Sequence, residues 1–147
     1  MTDDRRRLWA QYDADPIAVN RMLVERYRAT GGHLGPPFAG PERMLLLTTR
    51  GARSGRPRTV PVMYVRDGDR FVVFASNAGS RHHPGWYHNL VACPEATAEV
   101  GNRTLAVTAV VATGEERERL WRSFPFPEHQ ERSERPIPVI VLEPRPG

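Results

Sequence analysis

The chain contains no lysine and only one cysteine. With Cys93 alone, neither an intramolecular disulfide nor a cysteine-based metal cluster can form. All 21 basic residues are arginine, so the number of arginines indicates little about function and their positions indicate more. No apolar run approaches the roughly 20 residues of a membrane-spanning helix, and the first residues lack the apolar core of a secretion signal. We therefore expect a cytoplasmic protein.

The length of 147 residues fits one domain with a sizeable core. We expect residues 1–147 to form this domain, with a helical N-terminal segment over residues 1–30 and a β-rich body over residues 42–144. The net charge is +4, but glutamates alternate with the C-terminal arginines, which is typical of a solvated surface. We expect no nucleic-acid partner.

The N-terminal part predicts one amphipathic helix over Pro16–Thr30. Asp15 is its expected N-cap, and Gly31 and Gly32 mark its end. Three apolar residues lie upstream of it: Leu8, Trp9 and Tyr12. Packing on the domain is the commoner use of such residues. A weak peripheral contact with the inner face of the cell membrane is the alternative.

After residue 41 the pattern changes to six short β-rich segments, over residues 43–49, 59–65, 70–76, 97–100, 104–113 and 137–142. Turns at Gly68, between the second and third segments, and at Gly101, between the fourth and fifth, predict tight hairpins and antiparallel pairing. Six strands are enough for a small barrel, and the expected class is mainly β with flanking helices (α+β). Residues 71–74 are all apolar, which predicts burial on both faces or at a subunit interface, in a monomer or homodimer.

Two short helices interrupt the strands in this prediction. The first is expected near Gly85–Ala92, directly after Pro84. The second is expected over residues 115–124, with Thr113 where an N-cap would lie and two glutamates favourably placed against the helix dipole.

Residues 50–58, here called the arginine loop, read Arg-Gly-Ala-Arg-Ser-Gly-Arg-Pro-Arg and lie between two apolar runs. Arginine offers planar, bidentate donors that match phosphate or carboxylate. Glycine allows the backbone to bring its own N–H groups close to such a ligand. The loop therefore predicts an anion site, and a solvated turn is the alternative.

Two other kinds of site are poorly supported. His82, His83 and His88 invite a metal hypothesis, but adjacent histidines in a loop or strand point in different directions and no carboxylate completes the set. We expect no metal. Ser76 and Cys93 lack the motif or the nearby base of a hydrolase nucleophile.

A further pattern in the sequence combines small residues with aromatic ones. Residues 75–79 are Ala-Ser-Asn-Ala-Gly at a strand end, and a helix carrying Trp86 and Tyr87 follows soon after. Small residues allow a flat ring to lie against backbone, and tryptophan can stack on it. Together with the arginine loop, this segment favours a planar cofactor with an anionic tail over two ordinary core aromatics.

The order of these motifs is similar to that of the deazaflavin-dependent nitroreductase family of actinobacteria. The stretches that carry the resemblance are residues 46–58, Asp67-Gly68, residues 75–79, residues 84–90 and residues 135–144, within a match over residues 17 to 144. The resemblance implies a flavin-reductase-like split β-barrel, similar to FMN-binding proteins, and a reduced deazaflavin, coenzyme F-420, as hydride donor.

The resemblance also implies roles for individual residues. A phosphate and oligoglutamate tail would lie on the arginine loop, and the ring system against the strands and helix that follow it. The implied cofactor-binding residues are Arg53, Ser54, Arg56, Arg58, Val60, Pro61, Ala75, Ser76, Asn77, Ala78, Gly79, Trp86 and Asn89. The implied substrate contacts are Met63, Tyr64, Phe126 and His129.

This sequence departs from the family pattern at Ala52 and Asn77, where relatives often carry a basic residue, and Arg56 is expected to compensate for the first loss. The expected reaction is hydride transfer to a quinone, enone or nitroaromatic acceptor. Ser76 is expected to hydrogen-bond the developing anion, and His129 or Tyr64 to supply the proton. The alternatives are a reductase that binds FMN on the same barrel, and a non-catalytic deazaflavin carrier.

Overall fold

The computed structural model describes residues 7, 10–11, 14–35, 43–76, 82–124 and 136–146. Its first helix, α1 (Pro16–Thr30), begins and ends where the sequence predicts. The Asp15 carboxylate accepts a hydrogen bond from the Ala18 N–H at 3.1 Å, which caps the start. Gly31 ends the helix with φ 66°, a conformation that suits glycine. Leu8, Trp9 and Tyr12, the upstream residues of the membrane hypothesis, lie outside the described residues.

The described residues form one antiparallel sheet of seven strands, one more than predicted. Their order across the sheet is β2-β1-β5-β6-β7-β4-β3. The strands are β1 (Met44–Arg50), β2 (Pro57–Met63), β3 (Val65–Asp67), β4 (Arg70–Phe74), β5 (Glu95–Val100), β6 (Arg103–Val111) and β7 (Val139–Pro144).

Tyr64 explains the additional strand. The expected single strand over residues 59–65 is divided at Tyr64 into β2 and β3, which lie at opposite edges of the sheet. One residue thus joins the two edges, so that the sheet must curve until they meet, as a barrel requires. The Gly68 hairpin consequently links β3 to β4, and the Gly101 hairpin links β5 to β6 as expected.

Two separate apolar clusters bury the two faces of β4. Phe71 and Val73 belong to the cluster inside the barrel, together with Leu45 and Leu47. Val72 and Phe74 belong to an outer cluster. The predicted burial on both faces is confirmed, and it is achieved within one chain.

Three helices with defined bounds pack on this sheet in the described part of the chain. Helix α1 covers β1 from outside, with Leu23 and Tyr27 buried beside Leu46. Helix α2 (Gly85–Ala92) has the predicted bounds and packs Leu90 into the barrel interior. Helix α3 (Gly114–Trp121) begins one residue earlier and ends three residues earlier than expected, and Thr113 makes no side-chain capping bond.

Candidate functional site

The arginine loop connects β1 to β2 and is folded by its own hydrogen bonds. The Gly51 N–H donates to the Arg56 carbonyl at 2.8 Å, and the Gly55 N–H donates to the Gly51 carbonyl at 2.9 Å. The Ser54 hydroxyl accepts from the Arg56 N–H at 3.1 Å. A Cβ on Gly51 would lie 2.6 Å from the Ser54 Oγ, which explains glycine at this position.

These bonds correct one expectation about how the loop would hold an anion. The backbone N–H groups of Gly51, Ala52, Gly55 and Arg56 all donate to protein acceptors. They do not form an amide nest for a ligand. Ser54, expected as a cofactor contact, places its oxygen inside the loop. An anion at the loop would therefore use the arginine side chains or N–H groups other than these four.

The guanidinium groups of the loop remain available for that purpose. Residues 52–58 are exposed, as is Arg50. Among the described residues, no carboxylate pairs with any of the four arginines: Arg50, Arg53, Arg56 and Arg58. Four like charges within nine residues create a local positive potential, which attracts an anion and orients it before contact.

Asn89 of α2 joins the loop to the sheet. Its Oδ1 accepts from the Ala52 N–H at 2.9 Å, and its Nδ2 donates to the Thr49 Oγ1 at 3.0 Å. Thr49 is 2 % exposed and lies near the end of β1. Asn89 therefore contacts protein groups in positions where the sequence predicted a contact with the cofactor.

The register of β1 and β2 decides which predicted residues share a face. Arg58 lies opposite Thr49, so that it projects from the face that carries α2. Val60 has the same orientation and packs against the barrel interior. Pro61 and Met63 point the other way, because side chains alternate along a strand, and Met63 packs under α1. The register therefore places Val60 and Pro61 on opposite faces of β2, and the cofactor contacts implied for them stay predictions.

The aromatic residues of α2 lie where that face meets the barrel interior. Trp86 and Tyr87 are half-buried and pack against the interior cluster, as Val60 does. Ala75 belongs to the same cluster and its side chain is completely buried, so it supports a ligand surface without forming one. Arg58, Val60 and Trp86 are thus brought to one side of the sheet.

Ser76 and Tyr64 differ in their access to a ligand. Ser76 is half-buried and follows directly after the buried end of β4. Tyr64 is 3 % exposed and packs edge-to-face on Phe71, with ring centroids 5.4 Å apart. Tyr64 has a place in the core, and its predicted contact with substrate would require the substrate to enter the barrel.

The three histidines near α2 lie in or beside a group of aromatic rings. His83 lies 4.5 Å from Tyr87 and 5.7 Å from His88, measured between ring centroids. His82 is exposed. Within the ranges that the structure describes, no set of three His, Cys, Asp or Glu residues could hold a metal ion.

Several predicted site residues fall outside the described residues: Asn77, Ala78, Gly79, Phe126 and His129. Their roles stay predictions. One contributor that the sequence did not reveal is Thr49, the partner of Asn89. The only sequence signal for it is that the apolar run of β1 gives way to two threonines, Thr48 and Thr49.

A shallow cleft of about 240 Å³ adjoins the arginine loop where β1 and β5 separate beyond Thr48. Arg50 and Gly55 line one side, and Glu95 and Arg145, which pair at 3.4 Å, line the other. The cleft is smaller than typical enclosed ligand sites of ~300 Å³ or more. An anion bound beside the loop would therefore lie largely at the surface.

A barrel that presents exposed arginines beside an aromatic helix fits the class of reductases that bind a flavin-like cofactor. The family model of F420H(2)-dependent quinone reductases matches residues 19–144. The chain belongs to this family, which confirms the predicted deazaflavin-dependent oxidoreductase and its cofactor, coenzyme F-420. The F420H(2)-dependent quinone reductase of Mycobacterium tuberculosis strain H37Rv is 40% identical over 134 residues, covering 86% of this chain and 90% of the relative.

One solved structure supports the same assignment, and a second is similar in sequence and fold. An F420-H2 dependent reductase, FDR-A, is 37% identical with a TM-score of 0.63, over 69% of this chain and 94% of that one. A protein described as a domain-swapped dimer is 33% identical with a TM-score of 0.66, over 88% of this chain and 100% of that one. The predicted split β-barrel is confirmed. No helix within the described residues is long and apolar enough to cross a membrane.

Proposed function

We propose that this chain transfers a hydride from reduced coenzyme F-420 to a quinone, which takes up a proton and leaves as the hydroquinone. The family supports the reaction type. The observation that carries the proposal for this chain is the arginine loop, whose exposed guanidinium groups pair with no carboxylate of the described residues. A tail of phosphate and glutamates is the chemical complement of such a loop.

The residues present fit this cofactor at both of its ends. Arg53, Arg56 and Arg58 would hold the anionic tail, with side-chain donors rather than backbone amides. A charge-assisted hydrogen bond contributes about 1.5–3 kcal/mol, so that two or three arginines could supply much of a micromolar affinity, near −8 kcal/mol. Solvent screening reduces that sum for a tail at the surface.

The ring would lie near the half-buried Trp86 and Val60, where apolar contact holds a flat molecule and excludes water. Bound there, the reduced deazaflavin supplies the hydride. Ser76 would donate a hydrogen bond to the oxygen of the acceptor on which negative charge develops, and His129 would supply the proton. Phe126 is proposed as an acceptor contact beside it. Tyr64 is left out of this site because it is buried in the barrel core.

Two measurements test the proposal. Purified protein is titrated with coenzyme F-420 and separately with FMN, and tryptophan fluorescence reports binding. We expect tight binding of coenzyme F-420 and much weaker binding of FMN. The reverse order would identify an FMN-dependent reductase, since one terminal phosphate can use the same arginines.

The second measurement separates an enzyme from a carrier. Reduced coenzyme F-420 is mixed with the protein and a naphthoquinone without oxygen, and the oxidised coenzyme is followed by absorbance. We expect oxidation of the coenzyme that depends on the protein and continues over many turnovers. Binding without turnover would identify a carrier.

The related domain-swapped dimer supports a homodimer as the assembly of this chain. Light scattering of the purified protein should give twice 16.6 kDa, and a mass of one chain would contradict this. Peripheral membrane contact is not proposed, since nothing in the described residues supports it.

A further inference from the structure

We propose that Asn89 is a positioning residue that holds the arginine loop in place for the cofactor tail. This inference rests on the proposed function, because it concerns the same loop. It differs from the expectation that Asn89 closes over the ring.

The Asn89 side chain forms two specific bonds to other parts of the chain. The backbone N–H of Ala52 can only donate, so the atom that faces it at 2.9 Å is the carboxamide oxygen. The carboxamide nitrogen then faces the Thr49 hydroxyl at 3.0 Å. One donor and one acceptor of Asn89 are therefore committed to protein groups.

The two partners of Asn89 differ in how firmly they are held. Thr49 is 2 % exposed and lies in β1, which is paired on one side with β2. Ala52 is exposed at the tip side of the loop. Asn89 thus connects an exposed loop residue to a buried strand residue and to a helix whose Leu90 is buried in the barrel interior.

The positive charge of the loop explains why a connection that holds it would favour anion binding. Arg50, Arg53, Arg56 and Arg58 repel one another, because no described carboxylate pairs with them. A loop free to move would separate these charges and would have to be ordered again when an anion binds. A loop held in advance binds the same anion at a lower entropic cost. The amide of asparagine holds it without adding a negative charge that would compete with the tail.

The test compares coenzyme F-420 with its ring-and-ribityl fragment, which lacks the phosphate and the glutamates. Kd is measured for both with the wild type, Asn89→Ala and Thr49→Val, which removes the buried hydroxyl with little change of shape. Asn20→Ala is the matched control, since Asn20 also lies on a helix but makes no side-chain hydrogen bond to a described residue. Folding is checked by thermal unfolding, and kcat is measured at saturating cofactor.

We expect Asn89→Ala to raise the Kd of coenzyme F-420 about tenfold, the effect of one lost hydrogen bond on an ordered loop, and to change the Kd of the fragment less than about twofold. At saturating cofactor, any change of kcat should be smaller than the change of Kd. Thr49→Val should act in the same direction, and the double variant should be no worse than Asn89→Ala alone, because both act through one connection.

Two results would overturn the inference while the proposed function stands. An equal loss of affinity for the cofactor and the fragment would place Asn89 at the ring or in general folding. No loss for either ligand would show that the loop does not depend on Asn89. Failure of the wild type to bind coenzyme F-420 would overturn the proposed function, and this inference with it.

Discussion

The hydroxyl of Tyr27 lies 2.9 Å from the carbonyl oxygen of Met44, and this contact attaches helix α1 to the sheet. The same oxygen also lies 3.2 Å from the Glu99 carbonyl and accepts from the Gly101 N–H at 2.9 Å. The Tyr27 side chain is completely buried. A single phenol therefore contacts backbone groups of β1, β5 and the hairpin that follows β5, with its one hydrogen directed to a carbonyl oxygen and its lone pair to the Gly101 N–H.

We predict that Tyr27→Phe lowers the free energy of unfolding by about 1–3 kcal/mol, because the Gly101 N–H loses its acceptor in a partly buried position. Urea unfolding measures this change. The control is Tyr87→Phe, since the Tyr87 hydroxyl makes no hydrogen bond to a described residue, and it should change stability by less than about 0.5 kcal/mol. Equal effects of the two substitutions would contradict the assigned role of Tyr27.

The hydrogen bonds of the Asp67 carboxylate predict that the protein loses stability in acid. Hydrogen bonds from Arg119 and then from Arg70 hold the pKa of this carboxyl well below its usual range. The pKa is lower in the folded state than in the unfolded state. The ionised Asp67 carboxyl therefore makes its full contribution to the free energy of unfolding above the pKa of the unfolded state, about 4. It is lost as the pH falls through the folded value.

The corresponding measurement is urea unfolding of the wild type and Asp67→Asn at pH 7 and pH 3. The two proteins should differ at pH 7, and the difference should shrink at pH 3. Asp69→Asn serves as the control, because Asp69 lies in the same turn without an ion pair to a described residue. A difference that is constant with pH would show that Asp67 acts through packing alone.

A side chain at position 51 is predicted to disturb the conformation of the arginine loop. Gly51→Ala would place a methyl group 2.6 Å from the Ser54 Oγ and 3.1 Å from the Arg56 carbonyl, so the loop must shift. We expect weaker binding of coenzyme F-420, measured by fluorescence titration, with partial recovery in the Gly51→Ala, Ser54→Ala double variant. Gly85→Ala is the control, because its Cβ would meet no atom within 4 Å. Unchanged affinity of Gly51→Ala would show that the loop conformation does not matter for the cofactor.

Ser76→Ala tests the proposed hydrogen bond to the acceptor. We expect kcat to fall by ~100–1000-fold, as when one donor to a developing anion is removed, while the Kd of coenzyme F-420 stays the same. Steady-state kinetics with a naphthoquinone and a binding titration give the two values. Unchanged turnover would remove Ser76 from the catalytic residues.

Much of the fold could be predicted because its signals are local. Asp15 and Gly31 bound α1 through capping chemistry, and Gly68 and Gly101 mark the hairpins through their backbone conformation. The division at Tyr64 could not be predicted in this way. It follows from closure of the barrel, which depends on strands far apart in the sequence.

In the candidate site too, features that depend on neighbouring residues could be predicted, and contacts between residues far apart in the sequence could not. The arginine loop is a local pattern, and its identity as a basic, exposed segment was predictable. The role of Asn89 depends on Ala52, 37 residues away, and no pattern near either residue reveals their contact. The separation of Pro61 from Val60 depends on the register with β1, which only the paired strands define.

The most direct test of the account is an anaerobic single-turnover measurement of quinone reduction. The protein is mixed with a naphthoquinone and reduced coenzyme F-420 that carries either hydrogen or deuterium at the transferable position of the ring. We predict protein-dependent reduction of one quinone per coenzyme, at a rate that deuterium slows. Tight binding of the coenzyme with no reduction of the quinone, or a rate of reduction that is independent of the protein, would contradict the account.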